Sequence, residues 1–250
     1  MVPDWLLAPP VAHRGLHDAG KGIPENSLAA FAAAVAAGYG IELDVRPAAD
    51  GTVMVFHDAT LARLTGAEGR VDALDAAALG RLRLAGTDEA IPRFAEVLDL
   101  IAGRVPLLVE LKTFESTRIG PLEQATLALL KGYVGPFAVQ SFSPLTLRWF
   151  REAAPEVVRG QLSGNFERYA DAGGMPRGRR AMLRRLMFNY HSRPHYISYD
   201  VGDLPYAPVA AERRAGRPVV GFTVRSEAEA RRLAPYMDNM IFEGFRPAAG

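Results

Sequence analysis

The chain has 250 residues, 49% of them hydrophobic, and 29 Lys and Arg against 28 Asp and Glu give a net charge of +1. That length fits one large domain with a sizeable core, and the balanced charge leaves no global basic field of the kind nucleic-acid binding needs. Cysteine is absent, which excludes disulfides, thiolate metal sites and a cysteine nucleophile.

In chain order, Met1–Pro10 carry Asp4 and no Lys or Arg ahead of a short apolar run, a poor secretory signal. The Ala-rich run Leu28–Ala37 falls short of the roughly 18–20 apolar residues of a membrane span, so a soluble, cytoplasmic protein is expected. Short apolar strand candidates then recur with helical segments between them. They are Val11–Arg14, Ile41–Arg46, Leu107–Lys112, Phe137–Phe142, Val157–Leu162, Tyr196–Asp200, Val219–Val224 and Asn239–Glu243. Near-continuous apolar strands alternating with helices predict a parallel sheet covered by helices. Eight such units in this length predict an α/β chain folded as a (β/α)8 TIM barrel, one domain spanning 1–250.

The helices carry their own boundary signals. Ser27 precedes Leu28, Phe31 and Val35, and Gly38 can close that helix. Ser143-Pro144 places a cap residue before proline at the first helical position, and Ser226-Glu227-Ala228-Glu229 has the capping-box pattern. Two stretches break the alternation. After Ile41–Arg46, Asp50-Gly51 predicts a hairpin turn into an extra strand over Thr52–His57, and an irregular, partly helical insertion follows from about Ala59 to Gly103. The second break, Ser163–Pro194, is rich in arginine. Neither has enough apolar residues to predict a core of its own.

Charge placement inside the predicted strands points to chemistry. Alternate side chains of a strand face opposite ways, so Glu42 and Asp44 share one face, as do Glu110 and Lys112, while Ile41, Leu43, Val45, Val109 and Leu111 suit the other. Charge on the inner face of such strands is too costly to keep for packing alone. Three carboxylates at a barrel mouth repel one another unless a hard cation lies between them, and an all-oxygen donor set suits Mg²⁺ or Ca²⁺ rather than zinc. The competing reading is an ordinary ion-pair network with arginines.

Among the five histidines, His13 and His57 stand at predicted strand ends, whereas His17, His191 and His195 fall in loops or insertions. Phosphodiester cleavage needs a base for the nucleophile and an acid for the leaving oxygen, and two imidazoles suit that pair of jobs. A lone buried histidine is more often a satisfied core residue. Here each is followed by a charged residue, Arg14 and Asp58. Arg14 and Lys112 would supply positive charge to phosphoryl oxygens. The arginine-rich stretch holds Arg177, Arg179, Arg180, Arg184 and Arg185, interleaved with Met182, Leu183, Leu186, Met187 and Phe188. It fits either a barrel-packing helix with a solvated basic face or, over 177–188, a weak contact with an anionic membrane surface.

These residues carry a family resemblance. His13-Arg14-Gly15, Pro24-Glu25-Asn26-Ser27, Ala30-Phe31, Ile41-Glu42-Leu43-Asp44-Val45 and Asp50-Gly51 stand in the order typical of the glycerophosphodiester phosphodiesterases. His57-Asp58, Leu61, Arg63, Thr65-Gly66, Ile91-Pro92, Glu96-Val97-Leu98, Glu110-Leu111-Lys112 and Gln140-Ser141-Phe142 continue it. The chain resembles that family well over residues 11–145 and loosely beyond.

The resemblance implies a (β/α)8 barrel with a small insertion after the second barrel strand. It also implies metal-dependent hydrolysis of a small-molecule phosphodiester to glycerol 3-phosphate and an alcohol. Glu42, Asp44 and Glu110 would be divalent-metal ligands, His13 and His57 the acid/base pair, and Arg14 and Lys112 phosphate contacts, with Glu25 and Asn26 supporting the site. Two segments depart from the pattern: Phe222-Thr223-Val224-Arg225 stands where the family usually has Trp-Thr-Val-Asn, and Phe242-Glu243-Gly244 where a Thr-Asp pair is usual. They leave open a lysophospholipid or other membrane-derived phosphodiester as substrate. A third reading is a catalytically silent barrel that only binds a phosphodiester.

Overall fold

A computed structural model describes residues 2–113, 118–169 and 174–248. Among them nine strands form one sheet: β1 (Val11–Ala12), β2 (Gly40–Pro47), β3 (Val53–Val55), β4 (Leu107–Leu111), β5 (Phe137–Ser141), β6 (Val158–Ser163), β7 (Tyr196–Asp200), β8 (Val219–Val224) and β9 (Asn239–Phe242). All but β3 pair in parallel, and β1 pairs with both β9 and β2, which closes an eight-stranded barrel. The described helices are α1 (Leu28–Ala37), α2 (Ala62–Thr65), α3 (Ala76–Leu79), α4 (Phe94–Ile101), α5 (Pro121–Leu130), α6 (Pro144–Ala153), α7 (Arg177–Arg184), α8 (Asn189–Ser192), α9 (Ala207–Arg214) and α10 (Glu227–Leu233). The α/β barrel read from the sequence is the fold.

Helix ends follow local chemistry. The Ser27 side chain accepts from the Ala30 N–H, and Gly38 closes α1 in the left-handed region at φ 73°. Ser143 caps α6 through the Thr146 N–H, with Pro144 in the first turn. Ser226 accepts from the Glu229 N–H, but the Glu229 carboxylate reaches past Ser226 to the Arg225 N–H, so the expected box closes one residue early.

The outward-facing Ile41, Leu43, Val45, Leu107, Val109 and Leu111 form the main core with Phe31, Phe94, Val97 and Ile101 from the covering helices. Inside the barrel, side chains lie in layers two residues apart. Val11, Leu108, Ala138, Val220 and Ile241 make an apolar layer, joined by Tyr196 and closed below by Leu6. Stepping two residues along β1, β4, β5 and β9 leads from that layer to His13, Glu110, Gln140 and Glu243. The C-terminal ends of the strands therefore hold the polar groups.

Two expectations change. β1 stops at Ala12, because Arg14 and Gly15 turn the chain at φ 53° and 80°. The insertion does build a small core of its own, from Ala48, Met54, Phe56, Leu61, Leu64, Val71, Ala76, Leu79, Leu84 and Ile91. The hairpin makes this possible: β3 turns Val53 and Val55 to the main core and Met54 and Phe56 to the insertion. With Phe94, Val97 and Ile101 in the main core, α4 is the barrel's own covering helix, and the insertion ends before it.

Candidate active site

β2 and β4 place the carboxylates. Their parallel register sets Asp44 beside Glu110, with Glu42 one step below on the same inner face. Glu42, Asp44 and Glu110 are all buried, and one oxygen of each lies within 4.8 Å of the others. This is the one such cluster of candidate metal-ligating side chains among the described residues.

Their environment is strongly polarised. Burial, and then repulsion from Asp44 and Glu110, raises the Glu42 carboxyl well above its ordinary value. Burial likewise raises Glu110, with Asp44 adding to it. Burial works against ionised Asp44 as well, yet Lys112, His57, Arg14 and a hydrogen bond from Asn26 together hold it well below the usual range. Lys112 stands 3.0 Å from Asp44 Oδ1 and 2.6 Å from Glu110 Oε1. Three buried oxygens set against one another, with no nitrogen or sulfur ligand among them, fit a hard divalent cation.

The supporting residues come from the turn after β1. Arg14 donates its backbone N–H to Glu42 Oε2 at 3.1 Å and its guanidinium to Glu25 at 2.6 Å, with Nε 3.4 Å from Asp44 Oδ2. Asn26 donates to Asp44 Oδ2 at 2.8 Å and accepts from the Asp44 N–H at 3.4 Å. Arg14 and Asn26 both take positive φ, 53° and 55°, and the Asn26 N–H donates to the Arg14 carbonyl at 2.9 Å. Such strain persists where the surroundings over-determine it, as these contacts do.

Both histidines line the same cavity of about 350 Å³ as Glu42, Glu110, Lys112 and Arg14. His57 Nδ1 lies 2.6 Å from Asp58, whose other oxygen takes Arg63 Nε at 2.5 Å, while Arg63 also clamps Glu25 at 2.8 and 2.9 Å. Burial of the Asp58 carboxyl is more than offset by the hydrogen bonds from His57 and Arg63, which leave it well below its usual range. His13 Nδ1 lies 2.6 Å from Glu243 Oε2. Burial pushes the His13 imidazole down to about 4, so it is neutral at pH 7, and the hydrogen bond from His13 holds Glu243 at about 2. His17 stands 4.0 Å from Glu243, while His195 donates its N–H to the Arg159 carbonyl, well along the chain from the cluster.

The far side of the cavity is aromatic. Phe142, Leu162, Phe166, Tyr169 and Phe222 line it, and Phe142 meets Phe166, Tyr169 and Phe222 edge-on at 6.0, 5.5 and 6.0 Å. Leu183 of α7 packs behind Phe166, and the Ser163 hydroxyl donates to the Leu183 carbonyl at 2.9 Å. Of the arginines on this segment, Arg184 pairs with Asp203 and Arg180 with Glu167. The barrel-packing reading thus accounts for the inner face of the segment.

Sequence reasoning brought the nine expected residues into one place but passed over several that hold them. Gln140 donates to Glu42 Oε1 at 3.5 Å and accepts from the Tyr196 hydroxyl at 3.1 Å. Room for that ring comes from Gly160, where a Cβ would lie 2.2 Å from Tyr196 Cζ. The signal for Gln140 was available: it stands two residues past Ala138, as Glu110 stands two past Leu108. Glu243 has the same spacing from Ile241.

The chain is similar to several known proteins. A glycerophosphodiester phosphodiesterase of Caldanaerobacter subterraneus subsp. tengcongensis is 34% identical over 164 residues, 61% of this chain and 65% of that protein. Human glycerophosphodiester phosphodiesterase 1 is 33% identical over 165 residues, 59% of this chain and 46% of its own. The matched part is thus less than two thirds of either relative. Among solved structures, an Oleispira antarctica phosphodiesterase in complex with the product sn-glycerol-3-phosphate superposes with a TM-score of 0.76 at 24% identity, over 95% of this chain and 93% of that one. A putative glycerophosphoryl diester phosphodiesterase of Silicibacter pomeroyi gives 0.76 at 25% identity, over 94% and 90%. The model of the glycerophosphoryl diester phosphodiesterase family matches residues 13–242, and the chain belongs to that family.

Proposed function

We propose that this protein hydrolyses glycerophosphodiesters to glycerol 3-phosphate and an alcohol, with the whole of 1–250 acting as one barrel domain. The observation that carries the reading is a cluster of three buried carboxylates, two of which, Glu42 and Glu110, line one cavity together with both histidines. Glu42, Asp44 and Glu110 would hold a divalent cation, Mg²⁺ or Ca²⁺. Bound there, it would supply Lewis acidity toward a non-bridging phosphate oxygen.

The chain's own groups account for the rest. Arg14 and Lys112 balance the phosphate charge, and Lys112 can turn to it once its two carboxylate partners are engaged elsewhere. One imidazole takes a proton from the attacking hydroxyl and the other gives one to the departing alkoxide. Where that hydroxyl is the glycerol's own, a cyclic phosphate forms and water then opens it, with the two histidines exchanging roles, to give glycerol 3-phosphate. Glu25 and Asn26 fix Arg14 and Asp44 in place. The glycerol 3-phosphate in the Oleispira antarctica structure supports the product named here. A silent binding barrel is disfavoured because both histidines and all three carboxylates are present. The test is a panel of soluble glycerophosphodiesters with Mg²⁺ and with Ca²⁺. Turnover should vanish in EDTA and return with one of the ions. A protein that binds the panel without turnover under any of these conditions would refute the proposal.

One observation favours a second reading, action at a lipid surface. Behind the aromatic wall, Met182, Met187 and Tyr190 are 37, 58 and 76% exposed, and Arg177, Arg179 and Arg185 make no ion pair among the described residues. Exposed apolar side chains on a segment that also carries these arginines suit an anionic bilayer. Among the described residues no helix is long and apolar enough to cross a membrane. Flotation with anionic and with zwitterionic vesicles separates the readings. Binding to the anionic set, weakened in a Met187→Ser/Tyr190→Ser variant, supports the surface reading, and absence of binding rejects it.

A further inference from the structure

The two histidines are held by carboxylates in different ways. Asp58 is the next residue after His57, so that contact is local. The partner of His13 lies 230 residues away and is brought there by barrel closure. β1 and β9 pair Ala12 with Phe242, the His13 N–H donates to the Phe242 carbonyl at 2.9 Å, and the residue after each member of the pair is then His13 or Glu243. The Glu243 carboxylate is gripped from both sides. Oε2 meets His13 Nδ1 at 2.6 Å and Oε1 takes Arg225 Nε at 3.0 Å. Arg225 is itself tied to the first turn of α10, its N–H donating to Glu229 at 2.8 Å, and to the Thr223 carbonyl at 3.3 Å.

An ionised carboxylate only accepts hydrogen bonds, so the imidazole proton of neutral His13 belongs on Nδ1. Nε2 is then the nitrogen with a free lone pair, on a residue that lines the cavity. We infer that Glu243 is a positioning residue for the reaction, locking His13 in the Nδ1–H tautomer and aiming Nε2 at the substrate, with Arg225 fixing the carboxylate. The inference rests on the catalytic role of His13 proposed above. It also joins the two segments where the sequence departs from its family, since Arg225 and Glu243 are bonded to each other.

The experiment reads the tautomer as well as the rate. In ¹⁵N-histidine-labelled wild-type protein, with the His13 signals identified by their loss in His13→Asn, Nδ1 should be protonated and Nε2 bare near pH 7. An Nε2–H tautomer there overturns the inference without any need for a Glu243 variant to fold. In Glu243→Gln the fixed tautomer should be lost, and kcat should fall about 10- to 100-fold with KM changed less than about twofold. Glu243→Gln with wild-type kcat and an unchanged tautomer overturns it equally. Wild-type turnover in His13→Ala would instead sink the proposed role of His13, while the tautomer measurement stands apart from that result.

Discussion

Where β1, β2 and β4 end, the cavity wall is His13, Arg14, Glu42, Glu110 and Lys112; across from it, past β5, β6 and β8, the wall is Phe142, Leu162, Phe166, Tyr169 and Phe222. The first half buries charge and ties it into one network: Asp44 has Lys112, Arg14 and Asn26, Glu110 has Lys112, and Glu42 accepts from the Arg14 N–H and from Gln140. Such a network loses far more when one member goes than any pair is worth, because a charge is left stranded in a poor solvent. The second half is held largely by ring edges and apolar contact, which tolerate change, although Tyr169 also donates to Asp200 at 2.8 Å and Arg168 and Arg225 line the cavity too. On the function proposed above, the bond-breaking chemistry falls to one half and the fit of the departing alcohol to the other.

The largest effects should therefore come from the charged half. Glu110→Gln should lower kcat/KM by on the order of 10²–10³ or more, the loss typical when one preorganised charge-stabilising group is removed. The double variant with Asp44→Asn should lose little beyond that, as groups acting as a unit are not additive. A divalent ion at a hundred times its Kd should stabilise the wild type by about 2.7 kcal/mol, read as a rise in melting temperature, and should raise that of Glu110→Gln less. Equal ion-induced shifts in both proteins would show that the ion does not sit on this triad.

Next comes His57. His57→Ala should cut turnover about 10²–10⁴-fold, as expected of a general acid or base, with the fold intact. Single-turnover measurements check it, and near wild-type rates would remove His57 from the chemistry. The aromatic half should behave otherwise. Phe222→Ala should leave the best substrate within about tenfold of its wild-type rate while altering the ranking of leaving alcohols by about 10-fold or more. A uniform loss across all alcohols would break the division between the two halves.

The charged half was the legible one in the sequence, for a physical reason. A two-residue period needs no partner to be read, so Glu42-Leu43-Asp44 and Glu110-Leu111-Lys112 announce their common face locally. The parallel barrel was legible from near-continuous apolar strands alternating with helical segments, and from caps such as Ser27 and Ser143, which act within one turn. What the sequence hid depends on closure. Glu243 reads as a deviation until β9 is laid beside β1, and Gln140 reads as a polar strand residue until Tyr196 reaches it over Gly160. The insertion's small core was hidden because three of its ten residues, Ala48, Met54 and Phe56, come from the opposite face of β3 and the turns around it. The left-handed turn at Arg14 gave no signal either, since arginine has no preference for positive φ.

The smallest effect gives the sharpest version of the comparison, because the same substitution can be made in both halves. Ser27 and Ser143 each cap a barrel helix, accepting from the Ala30 N–H at 3.1 Å and the Thr146 N–H at 3.4 Å. Replacing either by alanine should cost about 1 kcal/mol of stability, the usual worth of an N-cap. The consequences for turnover should differ. Ser27 follows Asn26, which holds Asp44, and its hydroxyl also pins the Pro24 carbonyl at 2.7 Å beside Glu25. Ser143 follows Phe142 of the ring wall and reaches the charged half at second hand, its N–H donating to Ser141 Oγ at 3.1 Å, a contact that Ser143→Ala keeps, and Ser141 donating to the Leu111 carbonyl at 2.9 Å. Thermal melts of Ser27→Ala and Ser143→Ala should thus shift by similar amounts, while kcat falls measurably in the first and stays within error in the second. Equal losses of kcat at matched stability would mean that the two walls are mechanically one, and that rate and leaving-group fit cannot be tuned apart.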